Sequence, residues 1–300
     1  MIIIVTGGRG FIGSHFVELA LSKQHTIIDI DKCTYSCNKI LPWDDHTNYT
    51  FIQEDINNIN HLPTCDVLIN FAAESHVDNS INSPAEFMHS NIDGVFNLLE
   101  LVRGKPAYAR PLFFQISTDE VYGDILSGSF RETSPLSPSN PYSASKASAE
   151  MLVMAYARTY GLDYIISRCS NNYGERQFEE KLIAKTLNCI RNNRIIPIHG
   201  DGSYIRDWIY AKDHADALLF LINQDKRNFI VNISTDTPMS NLEVVETILD
   251  WEAIPKDQHK NYYRFVDNRW GQDLRYSISN EKILSMGWQP KHCGYLHKWY

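Results

Sequence analysis

The first thirteen residues constrain this chain more than any other stretch. Ile2–Val5 is a short β-branched run that leads directly into Thr6-Gly7-Gly8-Arg9-Gly10-Phe11-Ile12-Gly13. Gly7, Gly10 and Gly13 recur every third residue between that run and a helix-like one, Ser14–Ser22. Glycine lets a backbone turn sharply and approach a pyrophosphate, and the start of a helix offers free N–H groups with partial positive charge. Alone, the motif is also compatible with a plain tight turn. Its setting, strand before and helix after, is the one a dinucleotide site requires. The second strand-like run, Thr26–Ile30, leads into Asp31, eighteen residues past Gly13. An acidic side chain there accepts hydrogen bonds from a ribose diol and repels a 2′-phosphate. NAD is expected in preference to NADP, with the neighbouring Lys32 as a cation that would tolerate a phosphate.

Strand-like runs continue at Tyr49–Ile52, Val67–Phe71, Leu112–Ile116 and Tyr164–Ser167, while apolar residues at helical spacing fill Pro84–Val102 and Tyr142–Tyr160. This alternation predicts an α/β fold, a doubly wound parallel sheet of the Rossmann type with right-handed crossovers. After Cys169 the pattern thins to a helical Glu179–Asn192, a short Ile195–Ile198 run, a Gly200-Asp201-Gly202 turn, a strand-like Phe229–Ile233 and an amphipathic Asn241–Trp251. Residues 1–169 are expected to form the dinucleotide-binding unit, with 208–236 returning to it. Residues 170–207 and 237–300 are expected to form a smaller, interleaved α/β substrate region.

Twenty-eight basic against thirty-six acidic side chains, a net charge of −8, argue against a nucleic-acid platform. No apolar run is long enough for a bilayer and no signal peptide opens the chain. The six cysteines (Cys33, Cys37, Cys65, Cys169, Cys189, Cys293) contain no CxxC pair, and the eleven histidines show no metal-ligand spacing. They read as unpaired thiols in a soluble, cytoplasmic, metal-free protein.

Tyr142-Ser143-Ala144-Ser145-Lys146 places a phenol and an ammonium one helical turn apart. A free tyrosine, with a pKa of about 10, is a poor base at neutral pH, and a nearby cation lowers that value. The pair alone also occurs as an ordinary surface feature. Together with the glycine turn it resembles the extended short-chain dehydrogenase/reductase family. Within that family, the run Ser117-Thr118-Asp119-Glu120-Val121-Tyr122-Gly123 resembles the nucleotide-sugar 4,6-dehydratases. Ala72-Ala73-Glu74-Ser75-His76-Val77-Asp78, Ser170-Asn171-Asn172-Tyr173-Gly174, Glu180-Lys181-Leu182-Ile183 and Pro197-Ile198-His199-Gly200 are similar to them as well. The likeness spans nearly the whole chain. Asp119-Glu120 discriminates: an elimination needs one acid and one base, whereas the family's 4-epimerases typically lack this pair and its decarboxylases usually keep only the glutamate.

The resemblance implies that Tyr142, helped by Lys146 and Thr118, takes the proton of the glucose 4-hydroxyl, that Glu120 removes the C5 proton, and that Asp119 protonates the departing C6 hydroxyl. The product is a 4-keto-6-deoxy sugar nucleotide, of use in rhamnose-type deoxysugar synthesis, with NAD regenerated in each turnover. It further implies cofactor contacts at Gly7, Gly10, Phe11, Ile12, Gly13, Asp31, Lys32, Asp55, Ile56, Phe71, Ala72, Ala73, Glu74, Ser75, Ser90, Tyr142, Lys146 and Asn172. Substrate contacts are implied at Ser75, Thr118, Asn171, Lys181, Leu182, Pro197, Ile198, His199, Arg206, Asn241, Asn268, Arg269, Trp270, Gly271 and Gln272. Arg206 and Arg269 would clamp the pyrophosphate. A homodimer paired through the Pro84–Val102 and Tyr142–Tyr160 helices is implied too.

The chain departs from the family's dTDP-glucose enzymes, which usually carry tyrosine at His199 and Arg-Pro-Gly-His at Arg269-Trp270-Gly271-Gln272. His199 and the Ala149–Tyr156 run look more like UDP-glucose enzymes, and Ser170-Asn171-Asn172-Tyr173 more like the dTDP type. UDP-glucose is slightly favoured and dTDP-glucose stays open. A UDP-sugar 4-epimerase or decarboxylase remains the alternative activity. Trp299-Tyr300 is expected in the family's last helix, with a shortened C-terminal cap.

Overall fold

A computed structural model describes residues 1–268 and 272–300. The elements run β1 (Ile2–Thr6), α1 (Phe11–Ser22), β2 (Thr26–Ile30), β3 (Tyr49–Ile52), β4 (Val67–Asn70), α2 (Val77–Asn82), α3 (Pro84–Met88), α4 (Gly94–Arg103), β5 (Leu112–Thr118), α5 (Pro141–Tyr160) and β6 (Tyr164–Cys169). They continue with β7 (Asn171–Tyr173), α6 (Leu182–Arg191), β8 (Ile196–His199), β9 (Ile205–Tyr210), α7 (Ala211–Ile222), β10 (Phe229–Ile233), β11 (Pro238–Ser240), α8 (Asn241–Trp251), β12 (Tyr263–Val266) and α9 (Glu281–Ser285).

Seven strands form one parallel sheet in the order β10-β6-β5-β4-β1-β2-β3. Successive side chains of a strand face opposite sides, so the apolar runs split between two cores. Ile3, Val5, Phe114 and Ile116 join Phe16 and Val17 of α1 and Leu218 and Ile222 of α7. Ile4, Leu68, Phe113 and Ile166 join Leu98 and Leu99 of α4 and Ala149 and Val153 of α5. The strand order reverses between β1 and β4, the point at which open α/β sheets bind ligands beyond their carboxyl ends.

The remaining strands make a three-stranded sheet, β11-β9-β7, and a two-stranded one, β12-β8. Their core is built by Ile183, Leu187, Val244 and Ile248 of α6 and α8 against Tyr173, Trp208 and Tyr210. The chain then returns through α7 and β10 to the large sheet.

Three expectations are revised. The single helix over Pro84–Val102 is broken: a π-helical turn, His89–Asp93, separates α3 from α4. The helix expected from Glu179 begins at Leu182, with Lys181 at its N-cap. No helix contains Trp299-Tyr300; Trp299 is instead anchored by ring contacts to Trp251 and Tyr173, with centroids 5.8 and 5.6 Å away.

Candidate active site

The glycine turn is required sterically. Gly7 has φ +73°, and a Cβ there would stand 2.7 Å from the Ala72 nitrogen, so no other residue lets β1 and β4 leave a groove between their ends. Gly13 packs the start of α1 against the Gly7 carbonyl, which shapes the turn. A cleft opens there, lined by the anticipated Gly7, Gly10, Asp31, Lys32, Asp55, Ile56, Phe71, Ala72, Ala73, Glu74 and Ser90. Ile30, Thr34, Ser36, Cys37 and Glu54 line it too and were not anticipated. Phe11, Ile12, Gly13, Ser75, Tyr142, Lys146 and Asn172 stand outside that lining.

Asp31 is buried, and its two oxygens accept the Arg9 and Cys33 amides at 3.0 and 2.8 Å. Each carboxylate oxygen has a second lone pair for a diol. Burial pushes its pKa up, and those amides oppose the shift. Lys32 is paired with Asp55 at 3.6 Å and Glu74 at 3.8 Å. The groove a Cβ would fill, the free N–H groups of the α1 start and the diol-accepting carboxylate together fit a dinucleotide with a free 2′-hydroxyl.

One further residue shapes this cleft. Asn91, on the π-helical turn, accepts the Glu74 amide at 2.8 Å and donates to the Glu74 carbonyl at 2.9 Å and to the Ser145 hydroxyl at 2.9 Å. It ties the cleft wall to α5 at Ser145, three residues after Tyr142 and one before Lys146. The signal for it in the sequence was the polar pair Ser90-Asn91 inside an otherwise apolar face; π-turns recur at functional sites.

At the carboxyl end of β5 the chain turns through a 3₁₀ segment, Asp119–Tyr122, capped by Thr118, whose Oγ1 accepts the Glu120 amide at 3.3 Å. Helix α5 starts beside it. Asn140 and Ser143 form a capping box and Pro141 fills the first turn, which fixes Tyr142 in that turn and Lys146 in the next. A buried ion pair, Arg168–Glu150 at 2.6 Å, and a 2.5 Å bond from Ser117 to Glu150 lock β5, α5 and β6 together behind these groups.

Asp119 is 3% exposed, its Oδ2 has no hydrogen-bond partner, and its Oδ1 accepts from Thr118 at 3.2 Å. Burial first, then the Glu120 and Asp207 carboxylates, push its pKa well above the usual carboxylate range; Arg206 and Thr118 only partly oppose them. The surroundings of Asp119 therefore favour the protonated carboxyl, beside the second carboxyl group of Glu120. Tyr142 is buried and hydrogen-bonded to Thr118, and its pKa is raised by burial, Glu120, Cys169 and Asp119.

That corrects the expectation of a lysine-acidified phenol. Lys146 donates to the Ile116 carbonyl at 2.7 Å, and burial brings its own pKa down to about 8. A cation turned toward the sheet does little to offset the desolvation of the phenolate.

The residues anticipated for the substrate come from distant pieces of the chain. Lys181 donates to the Ser75 carbonyl at 3.0 Å, joining α6 to the loop after β4. Leu182, Asn171 and Asn241 open α6, β7 and α8. Pro197 and His199 sit on β8, with His199 Nδ1 3.0 Å from the Asp267 carbonyl. Ile198 is committed to the small core with Val245 and Leu249. Asn268 donates to the Tyr204 hydroxyl. Gln272 is described, while Arg269, Trp270 and Gly271 lie outside the described residues.

Arg206 is buried, donates to the Ile205 and Asp273 carbonyls at 2.8 Å each, and lies 4.1 Å from the Tyr276 ring centre. Asn172 does not line the cleft. Its Oδ1 is 2.9 Å from His214 Nδ1 and its Nδ2 donates to the Ser170 carbonyl at 3.0 Å, because both groups are buried and need partners.

The model of the family described as GDP-mannose 4,6 dehydratase matches residues 4–293. This chain belongs to that family. It is 40% identical over 298 residues to the low-salt glycan biosynthesis protein Agl12 of Haloferax volcanii, covering 97% of this chain and 94% of that protein. It is 41% identical over 313 residues to the dTDP-glucose 4,6-dehydratase of Neisseria gonorrhoeae, covering 96% and 90%. The fold superposes on the Streptomyces venezuelae dTDP-glucose 4,6-dehydratase DesIV, solved with NAD bound, with a TM-score of 0.91 at 36% identity, covering 97% and 92%.

Proposed function

We propose that this chain is an NAD-dependent hydro-lyase that converts UDP-glucose or dTDP-glucose to the 4-keto-6-deoxy sugar nucleotide and water. The observation that carries the reading is Asp119, a buried carboxyl next to Glu120 whose Oδ2 has no hydrogen-bond partner and whose pKa burial pushes up. An epimerase needs neither an acid for a leaving hydroxyl nor a base at C5; a dehydratase needs both. NAD, when bound in the cleft between β1 and β4, would supply hydride transfer, accepting a hydride from C4 and giving it back at C6 with no net redox change.

The chain's own groups do the rest. Tyr142, hydrogen-bonded to Thr118, moves the proton of the C4 hydroxyl, and Lys146 holds positive charge behind it. Glu120 takes the C5 proton once a ketone at C4 has acidified it, and later returns a proton there. Asp119 delivers its proton to the C6 oxygen, so the leaving group departs as water and not as hydroxide. Arg206 and Lys181 supply positive charge toward the pyrophosphate. The dTDP-glucose activity of the Neisseria relative supports the thymine nucleotide, and His199 on β8 supports the uracil one.

A cytoplasmic setting and a homodimer belong to the same proposal. All six cysteines are free, and among the described residues no helix is long and apolar enough to cross a membrane. Phe96, Met151 and Tyr160, on α4 and α5, are 49, 47 and 42% exposed, the apolar surface a second copy would cover. Incubation with each sugar nucleotide tests the activity: a product lighter by one water supports it, and an isomer of unchanged mass defeats it.

A further inference from the structure

The segment between β2 and β3 carries two cysteines that the proposed chemistry does not use. Cys33 follows Asp31 by two residues, and its amide donates to Asp31 Oδ1 at 2.8 Å. The chain then reverses: the Cys37 amide donates to the Thr34 carbonyl at 3.2 Å, closing a four-residue turn. Cys33 itself has φ +57°, a left-handed conformation that redirects the chain into this turn. A turn closed over residues 34–37 brings its flanking residue, 33, beside 37. The two thiols are hydrogen-bond neighbours, and both line a second cavity with Arg9 and Lys39. Cys37 also lines the cofactor cleft, alongside Asp31, so it is open to solutes.

We propose that Cys33 and Cys37 form a reversible dithiol–disulfide site at the mouth of the cofactor cleft, oxidised by low-molecular-weight disulfides and lowering NAD affinity when closed. The inference rests on the cofactor reading of that cleft. Chemically, the Cys37 thiolate attacks one sulfur of a disulfide RSSR, forming a mixed disulfide and releasing RS⁻. The Cys33 sulfur then displaces the second RS⁻ and loses its proton, leaving one protein S–S bond and two RSH. Two electrons pass from the protein dithiol to RSSR. Both cysteines are only partly buried, so the small oxidant can enter. Burial, together with Cys37 and Asp31, pushes the Cys33 thiol up to about 12, which leaves Cys37 as the first nucleophile. Closing the bond shortens the turn that supplies the Cys33 amide to Asp31 and the Cys37 wall to the cleft. An intracellular disulfide of this kind is expected to be transient and regulatory.

The test treats the purified full chain with oxidised glutathione, alkylates free thiols and maps peptides by mass, then titrates NAD against the reduced and oxidised protein. The expected result is a loss of two hydrogens confined to the peptide holding Cys33 and Cys37, an NAD dissociation constant raised about tenfold, and reversal by dithiothreitol. Cys33→Ser should show glutathione retained on Cys37 and no crosslink. A mixed disulfide in the unaltered chain that never resolves, or a 33–37 crosslink that leaves NAD affinity unchanged, would overturn the proposal. The crosslink is read without cofactor, whereas failure of the reduced protein to bind NAD counts against the cofactor reading itself.

Discussion

The two halves of the cleft are built on different principles. The cofactor half draws on short contiguous pieces: Gly7, Gly10, Asp31 and Asp55 follow the ends of the adjacent parallel strands β1, β2 and β3, and Phe71, Ala72, Ala73 and Glu74 follow β4. The residues anticipated for the substrate come from β7, α6, β8, β9 and α8, far apart in sequence and tied to two small sheets. Beside both stands the ledge of β5 and α5, which carries the proposed reacting groups, with Arg168–Glu150 and Ser117–Glu150 bonds behind it. A site of this kind can keep its redox chemistry while its sugar-nucleotide side varies, because the two share little backbone.

The sharpest way to break this division is at the ledge. Tyr142→Phe removes the group that takes the C4 proton, and turnover should fall by at least the ~10²–10⁴-fold typical of a positioned acid/base group. NAD titration should give a nearly unchanged affinity, since Tyr142 lies outside the lining of the cofactor cleft. Near-native turnover would make the Tyr142–Lys146 pair structural.

Asn91→Ala probes the join between cofactor wall and ledge. It leaves the Glu74 amide and carbonyl without their Asn91 partner, at a cost of about 1–3 kcal/mol per group left unsatisfied, while the Ser145 hydroxyl keeps its bond to the Tyr142 carbonyl. The melting temperature should fall and NAD should bind more weakly, read by thermal unfolding and titration. An unaffected NAD affinity would uncouple the π-helical turn from the cleft.

A pH profile sharpens the comparison further. Lys146 carries its charge below about pH 8 and loses it above, so the rate should decline on an alkaline limb near that value. Lys146→Arg, which stays charged, should abolish that limb even if its rate is lower.

The smallest effect lies on the cofactor side. Burial, followed in effect by the Tyr49 hydrogen bond that opposes it, leaves the Asp29 pKa at about 7, far above its unfolded value. The folded protein then binds more protons than the unfolded one between roughly pH 4 and 7, so stability declines as pH rises through that window. Asp29→Asn, measured by denaturant unfolding at pH 5 and 8, should flatten this dependence.

The cofactor half was legible in the sequence because its signals are contiguous: glycines at fixed spacing, an acid at a strand end, a phenol and a lysine one turn apart. Asp119-Glu120 could be read for the same reason. What escaped depends on which way a side chain turns once buried. Asn172 faces His214 because two buried polar groups must satisfy each other. Lys146 faces the Ile116 carbonyl, which no spacing rule encodes. The π-helical turn at His89–Asp93 adds one residue to a period that otherwise reads as a continuous helix. Trp299 is held by ring contacts to β7 and α8, so the family resemblance suggested a helix where tertiary contact decides.

The central claim is that Asp119 and Glu120 make this ledge an eliminating one. Running the reaction in deuterium oxide and reading the product by proton NMR tests it most directly. If Glu120 removes and returns the C5 proton, the 4-keto-6-deoxy product carries solvent deuterium at C5, and Glu120→Gln yields none of that product while still oxidising C4. A C4 epimer with its C5 proton intact would contradict the account.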